Sequence, residues 1–248
     1  MKMPTIFLSP STQDFNPYVT RGNEEYWMNI LADRIMPYLL ASGIGFGRND
    51  RDKNAAAAIA QSNRGDYAFH LSLHSNASPA GKEGQNQGII AYYYPGSPDS
   101  LRMAEILVDN LQTIYPLPEK VKAMPTVNIG EVRRTRAPAV LIEIGYHDNV
   151  EDATWVEQNI DALAERISLS VTEYFGVPFL TPQPLRQGTV TVQGGRLNIR
   201  DLPLMGSEVL ARAENGDQLI IFGESGNWYS VRYGEVVGFA NTAYVVVS

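Results

Sequence analysis

The stretch Tyr67-Ala68-Phe69-His70-Leu71-Ser72-Leu73-His74 contains alternating apolar and polar residues. The residues Ser75-Asn76-Ala77 follow it and begin a polar loop. This period of two is typical of a β-strand. The residues after the strand are rich in Gly and Pro and therefore predict a loop. A side chain at the end of such a strand lies where open α/β sheets bind their ligands, so His74 is a candidate functional residue.

His70 lies on the same face of this strand, four residues earlier. Four strand residues span about 13 Å, at ~3.3 Å each, so His70 and His74 cannot bind one metal ion by themselves. We expect His70 to have a buried structural role.

Strand-like and helical patterns alternate along the first 176 residues. Further strand-like runs are Thr5–Leu8, Gly88–Tyr94 and Ala139–Ile144. Helical patterns occupy Glu24–Leu40, Asp52–Asn63, Ser100–Ile114 and Asp152–Phe175, with a kink expected at Pro37 and an N-cap at Asp152. Strands that alternate with helices of this length predict an α/β fold with a mostly parallel sheet flanked by helices.

The pattern changes after Gly176, which ends the last helix as Gly does at a C-cap. Three prolines within residues 178–187 predict a stiff, extended linker. From Gly188 onward, short strand-like runs alternate with Gly-containing turns, which is typical of a small all-β barrel. We therefore predict two domains, residues 1–177 and 188–248.

The composition excludes several classes of protein. With 44% hydrophobic and 19% charged residues, the 248-residue chain is neither disordered nor fibrous. No run approaches the roughly 18 apolar residues of a membrane span. A net charge of -7 argues against nucleic acid as the main partner, because neutralising phosphates needs a basic face. The absence of Cys excludes disulfides and thiolate chemistry.

Glu143 lies inside the apolar run Ala139–Ile144. A carboxylate in such a strand is costly unless it is paired, hydrogen-bonded or protonated. It could be a strand-end residue bonded to a backbone amide or to one of the upstream arginines. It could equally be a general acid or base whose pKa is raised by burial.

Three blocks together resemble a known family. They are Glu25-Tyr26-Trp27-Met28-Asn29, Leu71-Ser72-Leu73-His74-Ser75-Asn76-Ala77 and Pro138-Ala139-Val140-Leu141-Ile142-Glu143-Ile144-Gly145-Tyr146. In order and spacing they are similar to the zinc-dependent N-acetylmuramoyl-L-alanine amidases of the Amidase_3 type, over essentially residues 4–175. The resemblance implies a peptidoglycan hydrolase in which zinc-activated water cleaves the amide between N-acetylmuramic acid and L-alanine.

The resemblance also implies roles for individual residues. Glu25 and His74 would be zinc ligands, and Glu143 would be the general base. Arg133 matches a basic position of the family and would bind a carboxylate of the stem peptide. Asn76 would shape the pocket.

One position departs from the family pattern. The first histidine ligand of the family is replaced in the segment Ser9-Pro10-Ser11-Thr12-Gln13. Three explanations are open: Gln13 supplies an amide oxygen, His147 substitutes as an imidazole, or the site has lost its metal and the protein only binds cell walls.

The C-terminal region resembles a bacterial SH3 (SH3b) domain. The matching segments are Leu197-Asn198-Ile199-Arg200, Asn215-Gly216-Asp217 and Trp228-Tyr229-Ser230-Val231. Next to an amidase, such a module implies targeting to cell-wall peptide, and no protein partner is predicted. The location implied is extracellular or in the cell wall. The N-terminal apolar stretch is too short for a signal peptide, so residence in the cytoplasm until release also fits.

Overall fold

The computed structural model describes residues 4–248. In the N-terminal part the strands are β1 (Thr5–Pro10), β2 (Gly45–Arg48), β3 (Phe69–Asn76), β4 (Ile89–Tyr93), β5 (Val121–Pro125) and β6 (Ala139–Tyr146). The helices are α1 (Glu24–Ala41), α2 (Ala55–Arg64), α3 (Pro98–Gln112), α4 (Gly130–Arg133), α5 (Val150–Gln158) and α6 (Ile160–Phe175).

The six strands form one sheet in the order β2-β1-β3-β6-β4-β5. All neighbours pair in parallel except β4 and β6, which are antiparallel. Helices α1, α3 and α6 pack together on one face, where the apolar side chains of β3 and β6 enter the core. Helix α4 contacts α2 and β6 and carries Glu131 to the polar side chains of the opposite face. The predicted α/β fold with a mostly parallel sheet is confirmed.

Helix α1 includes Pro37 and ends at Ala41, and the kink at Pro37 stays a prediction. Two details differ from the expectations. The region expected to be one helix from Asp152 to Phe175 is two helices that meet at Asn159. The N-cap of the first is Asn149, whose side chain accepts the backbone N–H of Asp152. The prediction of Asp152 as the N-cap was wrong, because its carboxylate accepts hydrogen bonds from other groups.

That carboxylate joins the ends of two strands. It accepts the backbone N–H groups of Gly88, at 3.0 Å, and Tyr146, at 2.9 Å, and the hydroxyl of Tyr115. Gly88 precedes β4 and Tyr146 closes β6, so Asp152 fixes where the two antiparallel strands meet.

The C-terminal part is a second, all-antiparallel sheet. Its strands are β7 (Arg186–Val190), β8 (Leu197–Arg200), β9 (Val209–Ala213), β10 (Gln218–Ser225), β11 (Trp228–Tyr233), β12 (Val236–Asn241) and β13 (Val245–Val247). Their order is β13-β7-β10-β11-β12-β8-β9. Strand β7 begins inside the segment predicted as a linker. Apolar side chains of this sheet form a separate small hydrophobic core.

The two parts meet at the end of α1. The ring of Phe239, in β12, is fully buried against Gly43. Gly43 has φ +74°, and a Cβ there would lie 2.4 Å from the Phe239 ring, so the contact requires glycine. Nearby, Ser42 Oγ accepts the backbone N–H of Leu180 at 3.0 Å. Within residues 4–248 no helix is long and apolar enough to cross a membrane.

Candidate active site

The carboxyl ends of β3 and β6 bring two of the candidate residues side by side. His74 and Glu143 are register partners on these parallel strands. Side chains in register on neighbouring strands point to the same face of the sheet. The first turn of α1 approaches the same edge, where Asn23 caps the helix and Glu24 is its first residue.

Both ring nitrogens of His74 contact carboxylates. Nδ1 lies 2.8 Å from Glu24 Oε1, and Nε2 lies 3.2 Å from Glu131 Oε2. Burial alone would lower the pKa of His74, but the hydrogen bonds and charges of Glu131 and Glu24 outweigh it and raise the pKa to about 10. Burial would raise the pKa of Glu24, and the bond from His74 instead holds it below its usual value. Without a metal ion, His74 is therefore an imidazolium between two carboxylates.

Glu131 is a site residue that the sequence did not indicate. It lies in the short helix α4, and only 4% of its surface is exposed. Burial opposes ionisation, but the hydrogen bonds from His70 and His74 hold the pKa of this carboxyl well below its usual range. His70 is fully buried, as its expected structural role requires, and it also contacts Glu131.

The environment of Glu143 shifts its pKa in the opposite direction to that of Glu131. Its Oε2 is buried and has no hydrogen-bond partner within residues 4–248. Burial raises its pKa to about 7, with the charge of His74 opposing and those of Glu24 and Glu131 adding to the rise. A carboxyl group with this pKa can exchange a proton near neutral pH, as a general base or acid must.

Gln13 lies beside His74. Its Nε2 is 3.3 Å from His74 Nδ1, on the side of the ring that Glu24 contacts. Asn16 orders this pair, since its Nδ2 donates to Gln13 Oε1 at 3.1 Å and to Glu24 Oε2 at 2.7 Å. Asn16 is a second site residue that sequence reasoning missed.

Glu25, the ligand suggested by the family pattern, has a different partner. Both of its carboxylate oxygens accept hydrogen bonds from the guanidinium of Arg51, and it is Glu24 that contacts His74. Asn29, the last residue of the same block, ties α1 to the end of β1 by donating to the Ser11 carbonyl at 3.0 Å. The role of Glu25 as a zinc ligand stays a prediction.

The remaining candidates lie further from His74. The side chain of Asn76 accepts the backbone N–H of Ala77, which orders the loop after β3. Arg133 is exposed on α4. His147 is buried, with Nδ1 3.1 Å from the Ser75 carbonyl and its ring stacked on Tyr18. Its role as a substitute ligand, like that of Arg133 in substrate binding, stays a prediction.

A cleft of about 840 Å³ opens on this edge of the sheet. His74, Glu131, Gln13, Glu25 and Arg51 are in its lining, whereas Glu24 and Glu143 are not. The lining carries both signs of charge.

Taken together, the fold and the site define an α/β protein with a buried His–carboxylate centre and, on the neighbouring strand, a glutamate whose pKa is raised by burial. Comparison with protein families makes the assignment specific. The N-acetylmuramoyl-L-alanine amidase family (Amidase_3) matches residues 12–173, and the bacterial SH3 domain family matches residues 195–246. The chain belongs to the N-acetylmuramoyl-L-alanine amidase family and carries a C-terminal bacterial SH3 domain.

Solved structures share the amidase fold. The N-acetylmuramoyl-L-alanine amidase AmiC2 of Nostoc punctiforme is 17% identical with a TM-score of 0.58, covering 71% of this chain and 98% of that one. The catalytic domain of CwlV from Bacillus (Paenibacillus) polymyxa var. colistinus is 18% identical with a TM-score of 0.59, covering 71% and 100%. The catalytic domain of the CD27L endolysin, which targets Clostridia difficile, is 21% identical with a TM-score of 0.54, covering 68% and 97%. At these identities the likeness concerns the fold. The comparison with curated proteins gives no match.

Proposed function

We propose that this chain is a zinc-dependent hydrolase that cleaves the amide bond between N-acetylmuramic acid and L-alanine in peptidoglycan. The observation that carries the proposal is that His74 and Glu143 are register partners on neighbouring strands, with Glu24 in contact with His74 and with Glu143 Oε2 lacking a hydrogen-bond partner within residues 4–248. Membership of the amidase family supports the substrate class.

The donor set supports a metal ion. Zinc takes imidazole nitrogen and carboxylate oxygen in proteins, and His74 Nδ1 and Glu24 Oε1 converge at 2.8 Å. Gln13 lies beside Nδ1 in place of the missing histidine, but its Nε2 faces the ring and its Oε1 accepts a hydrogen bond from Asn16, so the amide must turn over to present its oxygen to a metal ion. We therefore propose Glu24, His74 and Gln13 as the residues that would hold zinc. Bound zinc lowers the pKa of a coordinated water to about 7.

The protein groups do the rest of the chemistry. Glu143 would accept a proton from the attacking water and return it to the nitrogen of the leaving L-alanine. Its environment supports this role because the buried Oε2 atom has no hydrogen-bond partner within residues 4–248 and is therefore not committed to a structural contact. The cleft that His74 lines supports access of a substrate to this ring.

A second candidate function is a catalytically silent wall-binding protein on an amidase scaffold. One observation favours it: within residues 4–248, no three His, Cys, Asp or Glu side chains are arranged to hold a metal ion. The zinc proposal therefore depends on the amide of Gln13.

Two measurements on the full chain separate the candidates. For the hydrolase, metal analysis of the purified protein gives about one zinc per chain, and incubation with peptidoglycan releases L-alanine amino termini. Glu143→Gln should keep the zinc and lose the release. A wild-type chain that binds cell walls, contains no zinc and releases nothing would establish the silent protein instead.

The SH3 domain and the substrate class together support action at the cell wall. We propose that the domain holds the enzyme close to wall peptide.

A further inference from the structure

A groove of about 670 Å³ opens on the C-terminal domain, beside strand β8. Its lining includes Arg196, Asn198, Arg200, Met205 and Tyr244. Among residues 4–248 this lining contains no Asp or Glu, although the whole chain has a net charge of -7. The β8 groove is therefore a local positive site on an acidic protein.

The period of two in β8 places three polar side chains in a row. Leu197 and Ile199 are buried in the small core of this domain, so the side chains of Asn198 and Arg200 face away from that core. Arg196 precedes the strand at the next alternate position. Four strand residues, from Arg196 to Arg200, span about 13 Å at ~3.3 Å each. The row therefore presents a cation, an amide and a second cation along the groove.

The three side chains keep hydrogen-bonding groups for a ligand. A guanidinium has five N–H donors, and Arg200 donates one of them to the Ser207 carbonyl. Arg196 donates to Glu214 at 2.7 Å, and both side chains of that pair are more than half exposed, so a ligand carboxylate can replace Glu214 at little cost. The half-buried amide of Asn198 offers a donor and an acceptor to a peptide group.

Apolar contact is available beside the arginines. Tyr244 and Met205 line the same groove and are 49% and 70% exposed. An aromatic ring and a flexible thioether pack well against small apolar groups such as the methyl of alanine. A groove that combines exposed apolar side chains with a few polar groups is typical of a ligand-binding site.

We propose that the β8 groove binds an anionic peptide, with one carboxylate on Arg196, a second on Arg200 and a peptide group on Asn198. The stem peptide of peptidoglycan fits this chemistry, because it carries more than one carboxylate and its alanine side chains are small. The inference rests on the proposed role of the domain at the cell wall, and it requires neither zinc nor cleavage. A neutral glycan would leave both arginines without an anionic ligand group.

The first test compares two peptides on the full chain, by titration calorimetry with a chelator present. One is N-acetylated L-alanyl-γ-D-glutamyl-L-lysyl-D-alanine, which has two carboxylates. The other is the same peptide with both carboxylates converted to primary amides. Because hydrogen bonds between charged groups are stronger than neutral ones, the diamide should bind at least about 10-fold more weakly. Equal affinities for the two peptides would overturn the proposal.

Variants locate the acidic peptide on the groove. Arg196→Gln and Arg200→Gln should each weaken its binding about 10-fold. Arg186→Gln is the matched control, since Arg186 is a strand arginine of the same domain that also pairs with a glutamate, Glu224 at 3.4 Å, but it is not in the lining of the groove. It should leave the affinity unchanged. Arg196 makes only an exposed contact, so its variant covers a failure of Arg200→Gln to fold without the bond to Ser207. Equal affinities in wild type and Arg196→Gln would contradict the proposal.

A competition experiment tests the other component of the wall. Tri-N-acetylchitotriose has N-acetylated sugar rings and no carboxylate, so it should not displace the acidic peptide from the full chain. Displacement would assign the groove to the glycan and overturn the proposal. Release of L-alanine amino termini from peptidoglycan is measured separately. Binding of the acidic peptide by a chain that releases nothing would support the groove and refute only the hydrolase.

Discussion

The carboxylate of Glu24 lies 2.8 Å from Nδ1 of His74, and the neighbouring Glu25 is bound to Arg51. Successive residues of a helix point about 100° apart, so only one of two adjacent glutamates can face a given strand. Asn23 begins the helix and thereby turns the first glutamate, not the second, towards the edge of the sheet.

The two glutamates should therefore differ as metal ligands. We expect Glu24→Gln to weaken zinc binding at least about 100-fold, more than loss of an outer partner does, and to abolish amidase activity. Glu25→Gln removes an ion pair at a half-exposed arginine, which is worth about 0–1 kcal/mol. Zinc affinity measured by chelator competition checks both variants. A larger loss in Glu25→Gln than in Glu24→Gln would restore the ligand set suggested by the family pattern.

Glu143 should make stability depend on pH. Burial raises its pKa from 4.5 to about 7, so the folded chain holds this proton more tightly than the unfolded chain does. Stability from this group is complete below about pH 4.5 and is lost as the pH rises to about 7. Gln cannot ionise, so the free energy of unfolding of Glu143→Gln should exceed that of wild type by about 3 kcal/mol above pH 7.

The measurement is urea unfolding of both proteins in the presence of a chelator, at about pH 4.5 and about pH 8. The difference between the proteins should be small at the lower pH and should grow as the pH rises. If the difference in the free energy of unfolding did not change with pH, burial would not raise the pKa of Glu143.

The contribution of Asp148 to stability should depend on pH in the opposite direction to that of Glu143. It accepts the backbone N–H groups of Ser78, at 3.1 Å, and Gly84, at 2.8 Å. Burial would raise its pKa, but these bonds outweigh it and lower the pKa below its usual 3.8. Its contribution to stability is therefore present above about pH 4 and is lost as the pH falls through the lower, folded-state pKa.

Asp148→Asn should consequently lower the free energy of unfolding by about 1 kcal/mol at neutral pH. The loop of residues 78–84 should exchange its amide protons faster in the variant, since two of its N–H groups lose a charged acceptor. The two proteins should converge in stability as the pH falls below the folded-state pKa of Asp148. A variant equal to wild type at neutral pH would contradict this account of the loop.

The contact between Phe239 and Gly43 should couple the two parts of the molecule. Phe239→Ala removes a fully buried ring and should cost about 3–4 kcal/mol. Gly43→Ala should also destabilise, since a Cβ at φ +74° would lie 2.4 Å from that ring. Gly195→Ala is the matched control, since Gly195 also has a positive φ, +76°, but a Cβ there meets nothing within 4 Å. Calorimetry of the full chain checks the three variants; equal midpoints for Gly43→Ala and Gly195→Ala would contradict the argument.

Most of the fold could be predicted from the sequence because the long strands and helices have clear periods of two and 3.6 residues. The missed strands β2 (Gly45–Arg48) and β5 (Val121–Pro125) lie at the two edges of the sheet. Short edge strands pair on one side only, so their sequences need not show a complete buried face. The split at Asn159 was missed because the helical pattern continues through it.

From the sequence, a site residue could be predicted only where a side chain with suitable chemistry lies in the last part of a strand. His74 and Glu143 lie in the carboxyl-terminal halves of two neighbouring strands and are register partners. Glu131 and Asn16 carry no comparable local signal, because their partners are brought near by tertiary packing. The choice between Glu24 and Glu25 depends on the phase of one helix, which a spacing pattern leaves open.

The contact between Phe239 and Gly43 restricts how the C-terminal domain can move relative to the sheet that carries His74. A domain on a flexible linker lets a catalytic domain reach a wide area around its binding point. If the C-terminal domain binds the wall as proposed, this contact would confine the cleft to a narrower range of distances from that point.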